Sequence, residues 1–245
     1  MFTDMYTIIR KEWKEVFLQK GGMRGGLLSQ VIILALLGVF LPLQNGPKWL
    51  TSPASALAWL WLPVMLTMNM VAEAFAGERE RHTLETLLAS RLSDRSILLG
   101  KMAASVMYGF AIAVLSMLVS AVTINVAYPA PSGGIQFYPP TIFIGGVVMI
   151  ILLNLLMAAL GVLVSLRAKT VRQAYQQLSA GLIVLVVAPI FLLEFIPSLR
   201  HAVSGALATW DLTQAVLVVV GVLLVIDAVL TGAAMARFQR SKLLD

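Results

Sequence analysis

The chain has 245 residues, 59% of them hydrophobic and 12% charged, with a formal net charge of +6 and a mean hydropathy of +0.89. A soluble domain carries about 25% charged residues, so this composition excludes a disordered chain, argues against a cytosolic enzyme and points to an all-α polytopic membrane protein. The absence of cysteine removes disulfides, thiolate-ligated zinc, iron–sulfur clusters and thiol catalysis from consideration.

Residues 1–25 predict a helix. Tyr6, Ile9, Trp13, Val16 and Phe17 recur at helical spacing, while Arg10, Lys11, Lys14 and Glu15 face elsewhere. A basic amphipathic helix with Trp on its apolar side suits a membrane interface, either as a topological anchor or as a mechanical element. The stretch Gly21-Gly22-Met23-Arg24-Gly25-Gly26 predicts a joint, because glycine permits unusual backbone angles. Six apolar runs follow, over 26–43, 54–76, 97–127, 141–166, 178–196 and 212–236. Each approaches or exceeds the roughly 20 residues of one crossing. The third run is longer than a crossing requires, so its start, 97–101, is expected to stand in water. Ala54-Ser55-Ala56 resembles a leader cleavage site but lies well past the first run, so no cleavage is expected there.

Sixteen of the 18 Lys and Arg residues fall in the lead segment, the second and fourth loops and the tail (237–245); Lys48 and Arg200 are the other two. Positive charge stays cytoplasmic, so both termini are expected on the cytoplasmic side of the cell membrane. Six crossings demand the same. The basic charge is thereby explained without nucleic acid. Asn45-Gly46-Pro47, the 129–134 stretch and Pro139-Pro140 mark the outer loops as turns, and 197–211 has room for one short helix.

The loop at 77–95 is the densest in charge. Strong helix formers predict a short helix in which Glu78 and His82, and Arg81 and Glu85, can pair at i, i+4. Leu84, Leu87 and Leu88 form a small apolar face. A helix this short is marginal alone in water and makes better sense if a partner covers its leucines; otherwise it is a solvated elbow between two spans.

Gly77-Glu78-Arg79-Glu80-x-x-Thr83-Leu84-Glu85-x-Leu87-Leu88-Ala89-Ser90, then Leu92-Ser93 and Leu98-Leu99-Gly100-Lys101, closely resembles the signature loop of ABC-2 type transporter permeases. These are the membrane subunits of type-2 ATP-binding-cassette transporters. Six spans, cytoplasmic termini and an interfacial lead helix extend the resemblance over nearly the whole chain. Arg91 departs from it, standing where the family often has proline. The resemblance implies that this loop is a coupling helix docking on a cytoplasmic ATPase subunit through Glu78, Arg79, Glu80, Thr83, Leu84, Glu85, Leu87 and Leu88. It further implies an assembly of two permeases, a homodimer or a pair with a similar chain, and two ATPases in the lipid membrane, operating as an exporter. The fourth loop, 167–177, is a second candidate contact.

No Gly-x-x-x-x-Gly-Lys-Ser/Thr phosphate cradle occurs in the sequence, so ATP and Mg are expected on the partner, with no cofactor and no catalytic residue in this chain. Ala202-Val203-Ser204-Gly205 beside His201 fails the motif and spacing of an intramembrane serine protease. His82 and His201 make no metal site. Ionisable and amide groups inside the bilayer are costly. Asp227, Asn69 and Asn154 are accordingly candidates to line a substrate path or gate, or to hold helices together by hydrogen bonds. Pro63 and Pro189 interrupt their spans, and small residues at four-residue steps (Ser105, Gly109, Ala113; Gly161, Ser165) predict close helix packing. The competing class is a membrane scaffold whose 78–88 helix holds a non-ATPase cytoplasmic partner.

Overall fold

A computed structural model describes residues 2–18, 23–83, 90–131, 133–198, 200–201, 205 and 212–238. The described residues form helices and connecting turns, with no strand among them. The lead helix α1 spans Phe2–Leu18. The first crossing begins with α2 (Met23–Ala35) and continues through a π turn at Leu36–Phe40, the short α3 (Leu41–Asn45) and a 3-10 turn at Gly46–Leu50. Because α2 starts at Met23, Gly25 and Gly26 are helical rather than part of a joint. The remainder of the expected joint, Gly21 and Gly22, lies outside the described residues.

The second crossing is α4 (Pro53–Ala72), with Pro63 inside it. Pro53 is tolerated at the first position because first-turn N–H groups have no helical partner. A π turn at Glu73–Gly77 leads into the single turn of α5 (Glu78–Glu80). The long α6 runs Asp94–Ala127; its cap Ser93 accepts a hydrogen bond from the Ser96 N–H, at 3.2 Å, and satisfies one orphan first-turn donor. Then come α7 (Pro140–Ser165), α8 (Val171–Phe195), capped in the same way by Thr170, and α9 (Leu212–Arg237).

Among the described residues, five helical stretches are long and apolar enough to cross a membrane: Gln30–Leu50, Ala58–Glu80, Asp94–Ala127, Pro140–Ser165 and Val216–Arg237. The fifth predicted run lies in α8, which is 25 residues long and is not one of these five.

The central column is α4, α6 and α7. Small residues let the backbones close. A Cβ on Gly109 would meet the Thr67 hydroxyl and sit 2.9 Å from the Pro63 carbonyl, and one on Gly161 would lie 2.5 Å from Val71 Cγ1. Far from α1, the column ends in an aromatic cluster. Trp59 packs edge-on against Trp49 and Tyr138, with ring centroids 5.8 and 4.8 Å apart. The Tyr138 and Ser120 hydroxyls share a hydrogen bond; burial pushes the Tyr138 phenol up despite that bond. Helix α9 packs on α7 and otherwise presents apolar side chains such as Val225 and Val229 outward, as lipid contact or a partner chain requires.

The start of α6 does not stand in water. Ile97 is fully buried and Lys101 is 1% exposed, because α1 lies across this end of α6. Gly100 makes the approach possible: a Cβ there would already be 3.0 Å from Ile8 Cβ. The Trp13 indole donates to the Ala104 carbonyl at 3.1 Å. The innermost face of α1 is therefore Ile8 and Glu12, with Ile9, Trp13 and Val16 partly buried beside it and Tyr6 exposed. The expected apolar stripe is thus rotated toward the protein.

Candidate functional site

The predicted helix over the second loop is broken. It stops at Glu80, and His82 takes a left-handed φ of +56°, a conformation uncommon outside glycine. The Thr83 N–H bonds back to the Glu78 carbonyl at 2.9 Å, closing the turn. His82 is exposed, and Glu78 turns inward instead of pairing with it. Leu84, Glu85, Leu87 and Leu88 lie outside the described residues.

Glu78, Arg79 and Glu80 each bind within the chain. Arg79 donates to the carbonyls of Leu166 and Ala168 at 2.7 and 3.2 Å, satisfying groups left over at the end of α7. Glu80 accepts the N–H of Val171, the first residue of α8, at 3.0 Å. The second loop therefore grips the fourth, whose Arg167, Lys169 and Arg172 are exposed.

Glu78 enters a cluster that sequence reasoning missed. The Lys101 ammonium donates to Glu12 Oε1 and to the Ala74 carbonyl, both at 2.7 Å. It lies 2.9 Å from Glu78 Oε1 and 5.5 Å from the centre of the Phe75 ring. Lys11 joins from α1, 2.6 Å from Glu78 and 3.3 Å from Glu15. Burial opposes the charge on Lys11, but its hydrogen bond to Glu78 and the field of Glu78, Glu12 and Glu15 outweigh it and hold the ammonium above the usual lysine range. Burying an ion is costly unless it is paired and hydrogen-bonded, and Lys101 meets both conditions. The available signal was a lysine just inside an apolar run, with Glu12 one turn from Ile8 on the lead helix. Periodicity alone did not say that the two would meet.

The three intramembrane candidates are not brought to one place. Asn154 is fully buried in the central column. Its amide donates to the Ile150 carbonyl at 2.7 Å and its Oδ1 accepts from Thr67 at 2.5 Å. That arrangement joins helices. Asp227 is 2% exposed, and neither carboxyl oxygen has a hydrogen-bond partner among the described residues.

Asn69 faces a cavity of about 720 Å³ between α1, α2, α4 and α6, which neither Asn154 nor Asp227 lines. Leu66, Asn69 and Met70 on α4 and Glu73 at the start of the π turn share its wall; Asn69 and Met70 lie three and four residues after Leu66 and four and three before Glu73, the spacing of a single helix face. Behind it, the Gln30 amide donates to the Tyr108 hydroxyl at 3.0 Å. At its edge, Arg81 bonds Glu73 at 2.5 Å.

The sequence model of one family, described as ABC-2 family transporter protein, matches residues 51–224. The match runs from the start of α4 into α9 and leaves α1 outside. No curated protein matches the chain.

Proposed function

The chain belongs to the ABC-2 transporter family, and we propose that it is the permease subunit of an ATP-driven exporter whose nucleotide is bound and hydrolysed on a separate cytoplasmic subunit. The chain itself is a permease-type, multi-pass membrane component. In the proposed assembly α8 supplies the sixth crossing. Its 25 residues reach about 37 Å at 1.5 Å per residue, enough for a hydrocarbon core of about 30 Å. Both termini are then cytoplasmic in the cell membrane, as the distribution of Lys and Arg favours. Two copies, or one copy and a similar permease, enclose the path within the lipid, since six spans of one chain do not evidently surround a pore.

The observation that carries the proposal is the clasp of Glu78, Lys101, Glu12 and Lys11. Leu84, Leu87 and Leu88 dock in a groove of the ATPase, with Glu85 and Thr83 beside them setting register through polar contacts. Closure of the ATPase pair, driven by ATP and Mg held there, displaces this segment. Glu78, five residues before Thr83, is joined to Lys101 on α6 and through Lys101 to Glu12 on α1. Arg79 and Glu80 join the same segment to α7 and α8. Force on one short loop is therefore delivered to four helices at once. Asn69 lines the substrate's entry, Asn154 fixes the column, and Asp227 acts between α9 and its neighbours.

The test is affinity purification from native membranes in a gentle detergent, with partners identified by mass spectrometry and Mg-ATP turnover measured on the isolate. A stoichiometric phosphate-cradle ATPase with nucleotide turnover is expected. A different protein bound in its place, with no turnover, would make the chain a scaffold.

A further inference from the structure

We propose that the cavity between α1, α2, α4 and α6 is a binding site for an amphiphilic organic cation. The inference deepens the transport proposal, on which it rests for treating the ligand as cargo. At about 720 Å³ the cavity falls within the range of small-molecule sites, which combine apolar walls with a few placed polar groups. Val16, Ile33, Leu66 and Met70 supply the apolar walls. The polar lining is Glu12, Glu15, Asn69, Glu73, Arg81 and Tyr108. Asn69 is exposed to the cavity and makes no hydrogen bond among the described residues, so both its donor and its acceptor are open to a ligand. Glu73 stands one turn further along the same face and Glu15 opposite on α1.

The charge balance selects the sign. Among the described residues, the ion-paired groups at this end are the carboxylates of Glu12, Glu15, Glu73 and Glu78 against the cations of Lys11, Lys101 and Arg81. One negative charge is left over. Glu12 and Glu78 are sealed, with side chains 5% and 6% exposed, whereas Glu73 and Glu15 are 40% and 29% exposed. Glu73 is paired with Arg81, so the surplus belongs to Glu12, Glu15 and Glu78, which share Lys11 and Lys101, and it is presented at Glu15, the one of the three that a ligand can reach. A cationic head placed beside Glu15 completes the neutralisation, while an anionic head meets the surplus without compensation. The α2 surface beside Ile33 exposes Leu28, Val31 and Ile32, an apolar approach suited to a molecule dissolved in the bilayer.

The test is equilibrium binding to the full chain in nanodiscs, without any partner, using tetraphenylphosphonium and its matched anion tetraphenylborate. Binding is scored above that of empty discs. Saturable phosphonium binding is expected, with borate at least tenfold weaker. Asn69→Trp fills the cavity from a side chain that holds no hydrogen bond among the described residues, and should abolish binding. Glu15→Gln removes the surplus charge at nearly constant shape, and should weaken phosphonium about tenfold while narrowing the gap to borate. Unchanged circular dichroism and a monodisperse gel-filtration profile show that each variant is folded. Equal binding of the two ions, binding that survives both substitutions, or no binding above empty discs would overturn the proposal. Because no ATPase is present, such a failure leaves the co-purification result standing, and loss of that result leaves this one standing.

Discussion

At the scale of single residues, Lys101 is held where an ammonium is most expensive. Two carboxylates, a backbone carbonyl and an aromatic face surround it. Removing one member of such a buried cluster costs more than the pair contributes, because the remaining charges stay desolvated. Lys101→Met is expected to lower stability by roughly 3–5 kcal/mol, read as a lower thermal unfolding midpoint in detergent. Adding Glu12→Gln should recover part of the loss; no recovery would place the effect elsewhere. Asp227 is the opposite case, a buried carboxyl with no hydrogen-bond partner among the described residues. Asparagine keeps its shape without ionic desolvation, so Asp227→Asn is expected to unfold no earlier than the parent and to leave Mg-ATP turnover of the assembly unchanged. Normal assembly with lost turnover would put Asp227 in the path. Such residues were legible in sequence as anomalies. Asn154 and Asp227 stood out as polar groups in apolar runs, but their partners, or lack of them, depend on helix rotations that composition does not set.

Helix elements were the most legible level, since each crossing must satisfy its backbone internally and so announces itself as a long apolar run. The four-residue steps of small side chains also gave the true contacts: Gly109 and Gly161 sit where α6 and α7 meet α4. Gly109→Ala would press a methyl against the Pro63 carbonyl, 2.9 Å away, which backbone cannot yield to. About 1–3 kcal/mol of destabilisation is expected. Gly221 on α9 has nothing within 4 Å of its Cβ position, so Gly221→Ala should leave the unfolding midpoint of the chain within error or slightly higher. Equal effects at the two sites would contradict the packing. The face of α1 was misread because its hydrophobic stripe was assigned to lipid, while the helix instead turns Ile8 and Glu12 onto α6. The second loop was read as one helix because its residues favour helix locally. Glu78, Arg79 and Glu80 are instead drawn into tertiary bonds, and the chain turns at His82.

Across the whole molecule, the arrangement explains how a membrane chain with no nucleotide cradle could be driven from outside. The column of α4, α6 and α7 is tightly packed, and its α1-facing end is tied by charge to the segment on which a partner is proposed to act. The family was legible because its signature combines fixed residue types with a fixed place after the second span. The clasp behind that signature was not, since Lys101 and Glu12 are 89 positions apart. The most direct measurement is to repeat the native purification with Leu84→Asp and Leu87→Asp combined. The double variant is expected still to insert and to remain monodisperse but to lose the ATPase and its Mg-ATP turnover. An ATPase that stays bound at full stoichiometry would contradict the claim that force enters through this loop.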